Sequence, residues 1–153
     1  MEFIYQSHTQ SGKIILRRRS KPKTLRAKYE RILEKLQREI VIKRDGGCVL
    51  RGVYQHTCDD VLQADHLISR SKKSIFFNLK NLNCVCRTVN SVKGKHWHGW
   101  EKIQRELERI TNNRYGEFTV EQLEIMGKSA HKPDIIWLEK KILEYKKELG
   151  KNV

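Results

Sequence analysis

The sequence predicts an α+β fold in which a β-hairpin near the middle of the chain is flanked by N-terminal and C-terminal helices. Apolar residues recur at three- and four-residue spacing before residue 45 and again in the last third of the chain, which is typical of amphipathic helices. Between these regions, residues 48–68 are rich in Val, Leu and Tyr, as strands are. A length of 153 residues suits one domain with extensions.

The first helix is predicted over residues 24–44. Thr24 is a suitable N-cap, and Gly46 followed by Gly47 ends the helix. Its apolar face consists of residues spaced three or four apart: Leu25, Tyr29, Ile32, Leu33, Leu36 and Ile40.

The predicted hairpin has CVLRGVY, from Cys48, as its first strand and DVLQADHLI, from Asp60, as its second. A polar stretch from Gln55 to Asp60 forms the turn between them. A loop rich in Ser, Lys and Asn then covers residues 69–83. A second helix is predicted from near Arg87 to about Ile110, interrupted at one of the glycines between them.

The C-terminal third is predicted to be helical. Thr119 with Gln122 three residues later resembles a capping box, in which the Thr119 hydroxyl would cap a helix. A last helix is predicted to begin at Pro133 and Asp134, with lysines on its outer face.

The formal net charge of +14 predicts a polyanionic partner. Nucleic acid is the commonest such partner, and an anionic membrane surface is the rival. Lys13 to Lys28 contains eight basic residues and no acidic one. The run is as often only a solvated surface, but we expect phosphate contacts from Arg17, Arg18, Arg19, Lys21 and Lys23.

No apolar run approaches the roughly 20 residues that a membrane span needs, and the N-terminus lacks the pattern of a secretory signal. We therefore expect the protein to stay in a reducing cytoplasm. In that reducing compartment the four cysteines are expected to be thiols or metal ligands rather than disulfides.

Chemistry-bearing residues concentrate between Gln63 and Gly94. Hydrolysis of a phosphodiester needs an activated water and a cation on the phosphate. His66 suits the first task because the pKa of histidine lies near neutral pH. Asp65 and Asn90 offer the oxygen ligands that Mg²⁺ or Mn²⁺ prefers, and the Asn81 amide can hold the intervening loop and so orient the imidazole.

The order Asp65-His66, then Asn81-Leu82, then Asn90 followed by Lys93-Gly94 resembles the HNH nucleases. The resemblance covers roughly residues 44–100 and implies a small ββα-metal core. It makes 24–110 a nuclease domain with its preceding helix, between a basic arm at 1–23 and a helical extension at 111–153. In this pattern Asn90 takes the place of the third histidine of the family name, and His96 and His98 are possible additional site residues.

A looser resemblance, carried by short fragments, extends to the NinG/Rap recombination proteins of lambdoid phages. Its fragments include Phe77 to Asn81, the region from Trp97 to Ile110, and FTVEQLE near residue 120. This resemblance implies cutting of branched recombination intermediates.

The sequence departs from the zinc pattern that many HNH domains carry, which is two CxxC pairs. Here each pair keeps only its first cysteine, because Arg51 and Val89 replace the second ones. A structural zinc is therefore not expected, although Cys58 and Cys84 remain candidates for a rearranged site with Cys48 and Cys86.

The predicted function is thus a metal-dependent DNA endonuclease. Phosphate contacts near the site are assigned to Arg70, Lys72, Lys73, Lys93 and Lys95, for which solvated charge is an equally good account. The alternatives are a sequence-directed homing or restriction-type nuclease, a DNA-binding protein without activity, and a zinc-ribbon interaction module. A symmetric double cut would require two sites, so a homodimer is a reasonable expectation.

Overall fold

Helices dominate the computed structural model, which describes residues 6–8, 14–16, 24–53, 56–92 and 99–151. Two short strands, β1 (Gln6–His8) and β2 (Ile14–Leu16), pair in an antiparallel manner near the start of the chain. The remaining described residues form five helices and a second antiparallel hairpin, so the predicted α+β class is confirmed.

The first helix, α1 (Leu25–Asp45), begins and ends where the sequence predicts. The Thr24 hydroxyl accepts a hydrogen bond from the Ala27 N–H at 3.1 Å, which satisfies one of the free amides of the first turn. The helix ends because Gly46 adopts a left-handed conformation with φ of 67°, and its N–H bonds to the Ile42 carbonyl.

The hairpin consists of β3 (Leu62–His66) and β4 (Leu82–Cys86), with His66 opposite Leu82. Its second predicted strand is therefore present, but the predicted partner, CVLRGVY, is wrong. Residues 48–53 of that segment form successive turns, in which the Arg51 N–H bonds to the Cys48 carbonyl and Gly52 has a φ of 78°. A strand cannot accommodate such turns, so β4 takes its place beside β3.

The β3–β4 hairpin lies between helices on both faces. One face carries Ala64, Leu82 and Cys84, which pack with Val41 of α1. On the opposite face, Val85 packs in a cluster with residues of α2 (Arg87–Val92) and α3 (Trp100–Tyr115). Because both faces are covered, all five residues of β4 are buried.

The interrupted second helix is present as α2 and α3, and residues 93–98 between them lie outside the described part. The next helix is α4 (Thr119–Gly127), but the predicted capping box is wrong. Thr119 is its first helical residue, and the Gln122 N–H, which a capping box would bond to the Thr119 hydroxyl, bonds to the Phe118 carbonyl at 3.0 Å. The last helix, α5 (Ile135–Glu148), begins as predicted, with Asp134 capping the Trp137 N–H at 2.7 Å.

The C-terminal helices pack against α1 and against the loop that follows β3. Leu138, Ile142 and Tyr145 of α5 share one core cluster with α1 and with Phe76 and Phe77 of the loop. The Tyr145 hydroxyl donates a hydrogen bond to the Phe77 carbonyl, and the Ser74 hydroxyl donates to the Met126 carbonyl at 2.8 Å. The loop of residues 69–78 is therefore held from outside the hairpin.

A buried carboxylate joins three of these elements. Asp45, at the end of α1, has a fully buried side chain and bonds to Arg44 at 2.6 Å and to Arg114 of α3 at 3.0 Å. Its second oxygen accepts the Cys84 N–H of β4 at 2.8 Å. Both charge and hydrogen-bond acceptors are thereby satisfied, as burial of a carboxylate requires.

Among the helices that the structure describes, none combines the length and the apolar character needed to cross a membrane.

Candidate functional site

His66 is the last residue of β3, and its side chain is 3% exposed. Its Nε2 atom lies 2.9 Å from the Phe76 carbonyl oxygen, and its ring packs on the Phe76 ring with centroids 4.6 Å apart. Because a carbonyl oxygen only accepts, Nε2 carries the hydrogen in this contact. In the neutral imidazole, Nδ1 is then the atom with a lone pair for accepting a proton.

Asn81 fastens the loop that brings Phe76 to His66. It is fully buried, and its Oδ1 accepts the Ile68 N–H at 2.8 Å. Its Nδ2 donates to the carbonyls of Ile68 at 3.3 Å and Ile75 at 3.5 Å. The Asn81 amide thus bonds to both ends of the loop between β3 and Phe76. A residue that orients the His66 imidazole through this loop would need such contacts.

Asp65 and Asn90 lie on the same side of the hairpin. Alternate residues of a strand share a face, so Asp65 and Gln63 of β3 point to the side that packs on α2 and α3. The Asn90 Nδ2 atom of α2 donates a hydrogen bond to the Gln63 side chain. Asp65 and His66 are consecutive residues of β3, so Asp65 points to the α2 and α3 side, whereas His66 shares the opposite face with Ala64 and Leu82.

The loop of residues 69–78 surrounds the Phe76 ring with positive charge. The Lys73 ammonium lies 4.6 Å and the Arg70 guanidinium 5.6 Å from the centroid of that ring. Both side chains and that of Lys72 are exposed. The Arg70 and Lys73 cations therefore contact the same Phe76 ring as His66 and lie at the surface of the site.

Several predicted site residues lie outside the described residues. These are the residues assigned to phosphate contacts in the arm and after α2, together with the two additional histidines: Arg17, Arg18, Arg19, Lys21, Lys23, Lys93, Lys95, His96 and His98.

Asp59 holds the start of α2, the helix that carries Asn90. Its carboxylate accepts the Arg87 and Val61 N–H groups, each at 3.1 Å, and the Thr88 hydroxyl at 3.3 Å. Desolvation tends to raise the pKa of Asp59, but these backbone hydrogen bonds and the Arg87 guanidinium lower it below its ordinary value. The carboxylate is thus ionised at the helix N-terminus, where negative charge is favourable.

A second group of residues lies beside the start of α2 and consists of three thiols and an imidazole. The donor atoms of Cys48, His56, Cys58 and Cys86 all lie within 4.8 Å of one another. Cys48 and Cys86 are buried, and the other two are half-buried. This Cys₃His cluster can hold a metal ion.

The two buried sulfurs of the Cys₃His cluster receive backbone hydrogen bonds. Burial raises the pKa of Cys48 to about 12, although the N–H groups of Cys86 and Leu50 lower it in part. Burial also opposes ionisation of Cys86, but the N–H groups of Val89 and Asp59 bring its pKa below the ordinary value. Cys86 is therefore the thiol in this cluster whose charged form the protein favours most.

A structural zinc was not expected from the sequence because Arg51 and Val89 replace two cysteines, although a rearranged site with Cys58 and Cys84 was left open. The structure brings in His56, which that reasoning did not consider, and Arg51 donates a hydrogen bond to the Cys58 sulfur at 3.6 Å. Cys84 is not part of the cluster but is fully buried against α1, and burial raises its pKa to about 11. The sequence signal that could have indicated this cluster is the position of His56 and Cys58 shortly after Cys48.

Comparisons with protein-family models, with characterised proteins and with solved structures find no significant match to this chain.

Proposed function

We propose that the protein is a metal-dependent endonuclease that hydrolyses DNA phosphodiester bonds, with His66 as the general base. The observation that carries the proposal is the fixed imidazole: His66 bonds through Nε2 to the Phe76 carbonyl and follows Asp65 directly. The hairpin that holds both residues continues without a break into α2, which carries Asn90. This order of two strands and a helix resembles the ββα-metal core of HNH nucleases.

The donor set on this side of the hairpin suits a hard cation. Asp65 provides a carboxylate that is 7% exposed. Because the Asn90 Nδ2 atom donates to Gln63, the amide oxygen is the Asn90 atom available to bind a metal ion. Oxygen ligands of this kind favour Mg²⁺ or Mn²⁺ over softer metals. Asp65 and Asn90 would therefore hold the catalytic cation.

His66 would act through its Nδ1 atom, which takes a proton from a water molecule. The water oxygen then attacks the phosphorus, and the bond from phosphorus to the 3′ oxygen breaks. By resemblance to the family, the products carry 5′-phosphate and 3′-hydroxyl ends. A bound Mg²⁺ or Mn²⁺ supplies stabilisation of the negative charge that develops on the phosphate oxygens.

Affinity for DNA would come from the net charge of +14 and from the cations of the 69–78 loop. Arg70 and Lys73 contact the ring against which His66 packs, so a phosphate bound by them would lie beside the imidazole. The resemblance to NinG/Rap proteins favours branched DNA as the substrate, in the cytoplasm of a bacterial or phage-infected cell. A homodimer would supply the two active sites that a symmetric cut requires.

The test is cleavage by the purified chain of supercoiled plasmid, linear duplex and a four-way junction. Each DNA is incubated with Mg²⁺, with Mn²⁺ and with EDTA. We expect cleavage with either metal, none with EDTA, and preference for the junction. His66→Ala is expected to lower the rate at least about 100-fold, as loss of a general base does.

His131→Ala serves as the matched control, because His131 is exposed and far along the chain from the hairpin. Circular dichroism establishes that both variants are folded. If the wild-type chain binds all three DNAs in a salt-sensitive way but cuts none, the nuclease proposal is wrong and the protein is a DNA-binding protein. Preference for one duplex sequence would instead support the homing or restriction-type alternative.

A further inference from the structure

We propose that Cys48, His56, Cys58 and Cys86 bind one Zn²⁺ ion in a tetrahedral site that is structural. The site is separate from the oxygen donors assigned to the catalytic cation. Its ligands come from the turns after α1, from the segment before β3 and from the last residue of β4. The proposal does not depend on the nuclease activity.

The distances among the donors match a zinc site. Zinc lies about 2.3 Å from a thiolate sulfur and about 2.1 Å from an imidazole nitrogen, so a tetrahedron separates the two by about 3.6 Å. The Cys48 sulfur and the His56 Nε2 atom are 3.7 Å apart. The largest separation in the cluster, within 4.8 Å, needs only a small contraction around an ion.

The chemistry of the cluster selects zinc over the hard cations. Three sulfurs and one imidazole are soft or borderline ligands, which Mg²⁺ and Ca²⁺ do not use. Four protein ligands complete a tetrahedron and leave no position for water or substrate, which distinguishes structural zinc sites from catalytic ones. The N–H groups directed at the Cys48 and Cys86 sulfurs are the outer partners that thiolate ligands require.

Bound zinc would connect the Cys48–Val53 turns to the start of α2. Cys86 directly precedes this helix, and Cys58 directly precedes Asp59, which bonds to the first amide of the helix. Leu50 and Val89 pack in the same core cluster as Cys48 and Cys86. A metal ion would therefore fix the position of α2 and with it Asn90.

The experiment measures metal in the full-length chain purified without chelators or an affinity tag that binds metals. Inductively coupled plasma mass spectrometry is expected to find one zinc per chain. Replacement by Co²⁺ is expected to give the absorption bands of a tetrahedral site with thiolate ligands. Added EDTA is expected to lower the melting temperature, because a metal bound only by the folded chain stabilises it.

Two cysteine variants make the assignment specific. Cys58→Ser changes a half-buried ligand and is expected to lower zinc affinity by more than the about 10- to 100-fold that follows loss of an outer partner. Cys84→Ala removes the fourth cysteine, which is buried in the core outside the cluster, and is expected to keep one zinc. If Cys58→Ser does not fold, Co²⁺ spectra of His56→Cys, which retains four ligands, replace it.

A wild-type chain without zinc that also fails to take up Co²⁺ would overturn the proposal. So would retention of full zinc affinity by Cys58→Ser, or loss of zinc from Cys84→Ala. None of these measurements uses DNA cleavage as its readout, and the cleavage assay does not measure zinc. Failure of the zinc site and failure of the nuclease proposal are therefore distinguishable.

Discussion

Replacing Asn81 by alanine tests how the site loop is held. The substitution removes three hydrogen bonds between one buried amide and the backbone of Ile68 and Ile75. Asn81 is fully buried, so water cannot replace the lost hydrogen bonds without entering the core. Asn81→Ala therefore leaves the Ile68 N–H unsatisfied, whereas the Ile75 carbonyl keeps its bond from the Asn78 N–H.

The expected cost follows from the three distances. The bond to the Ile68 N–H, at 2.8 Å, is short, and leaving that group unsatisfied costs about 1–2 kcal/mol. The bonds to the carbonyls of Ile68 and Ile75, at 3.3 and 3.5 Å, are long and contribute about 0.5 kcal/mol each. We expect Asn81→Ala to lower the free energy of unfolding by about 2–3 kcal/mol.

Urea unfolding measures this change, and Asn78→Ala is the matched control. Asn78 lies in the same loop, and its side chain accepts only the Lys80 N–H, at 3.0 Å, in a half-buried position. Its loss is expected to cost about 1 kcal/mol or less, as for a helix cap. Amide hydrogen exchange adds a local measurement, because the Ile68 N–H should lose protection in Asn81→Ala but not in the control.

Equal unfolding midpoints for the two variants would refute the reasoning. So would unchanged protection of the Ile68 amide in Asn81→Ala. If the nuclease proposal holds, cleavage by folded Asn81→Ala should also fall, since the Phe76 carbonyl that orients His66 lies in the released loop.

Two further predictions concern carboxylates outside the proposed site. Asp45→Ala should lower the free energy of unfolding in urea by about 3 kcal/mol, the lower end for a broken buried ion pair. The lower end applies because the side chains of Arg44 and Arg114 are 21% and 25% exposed. A decrease of less than about 1 kcal/mol would contradict this prediction. Asp59 has a lowered pKa, so its contribution is present above the ordinary value of 3.8 and is lost as pH falls through the folded value. The urea midpoint of Asp59→Asn should therefore fall below that of wild type at neutral pH and converge with it as the pH falls through the folded pKa of Asp59.

Helix ends were predictable because their signals are local. The Thr24 cap, the left-handed Gly46 and the Asp134 cap each depend on residues within one turn. The capping box predicted at Thr119 is wrong because the Gln122 N–H bonds to the Phe118 carbonyl, and the Asn112 side chain of the preceding helix accepts the Val120 N–H. Contacts from outside the local segment decide such cases.

The strand partner of β3 was missed for a similar reason. β4 has five buried residues and no alternation of polar and apolar side chains, since α1 covers one face of the hairpin and α3 the other. Its sequence, LNCVC, contains no periodic signal. The identity of the partner depends on that layered packing, which no short window of sequence contains.

The two groups of candidate site residues, the hairpin set and the Cys₃His cluster, also differed in how well the sequence predicted them. Asp65, His66, Asn81 and Asn90 follow one another in a recognisable order, so the sequence identified all four, and the structure places them around one hairpin. Whether they act in catalysis stays a prediction. Cys48, Cys58 and Cys86 were candidates for a rearranged site, but His56 was missed because turns, rather than regular spacing, bring the donors of the Cys₃His cluster together.

The packing of α5 against α1 also determines when this part of the core can form during synthesis of the chain. α1 leaves the ribosome early, but the core it shares with Phe76 and Phe77 closes only when α5, the last of the described helices, has been translated. Until then the Phe77 carbonyl lacks its hydrogen bond from the Tyr145 hydroxyl, and α5 does not yet pack against the loop beside His66. The nascent chain thus carries its histidine and its positive charge well before the surroundings of that histidine are in place.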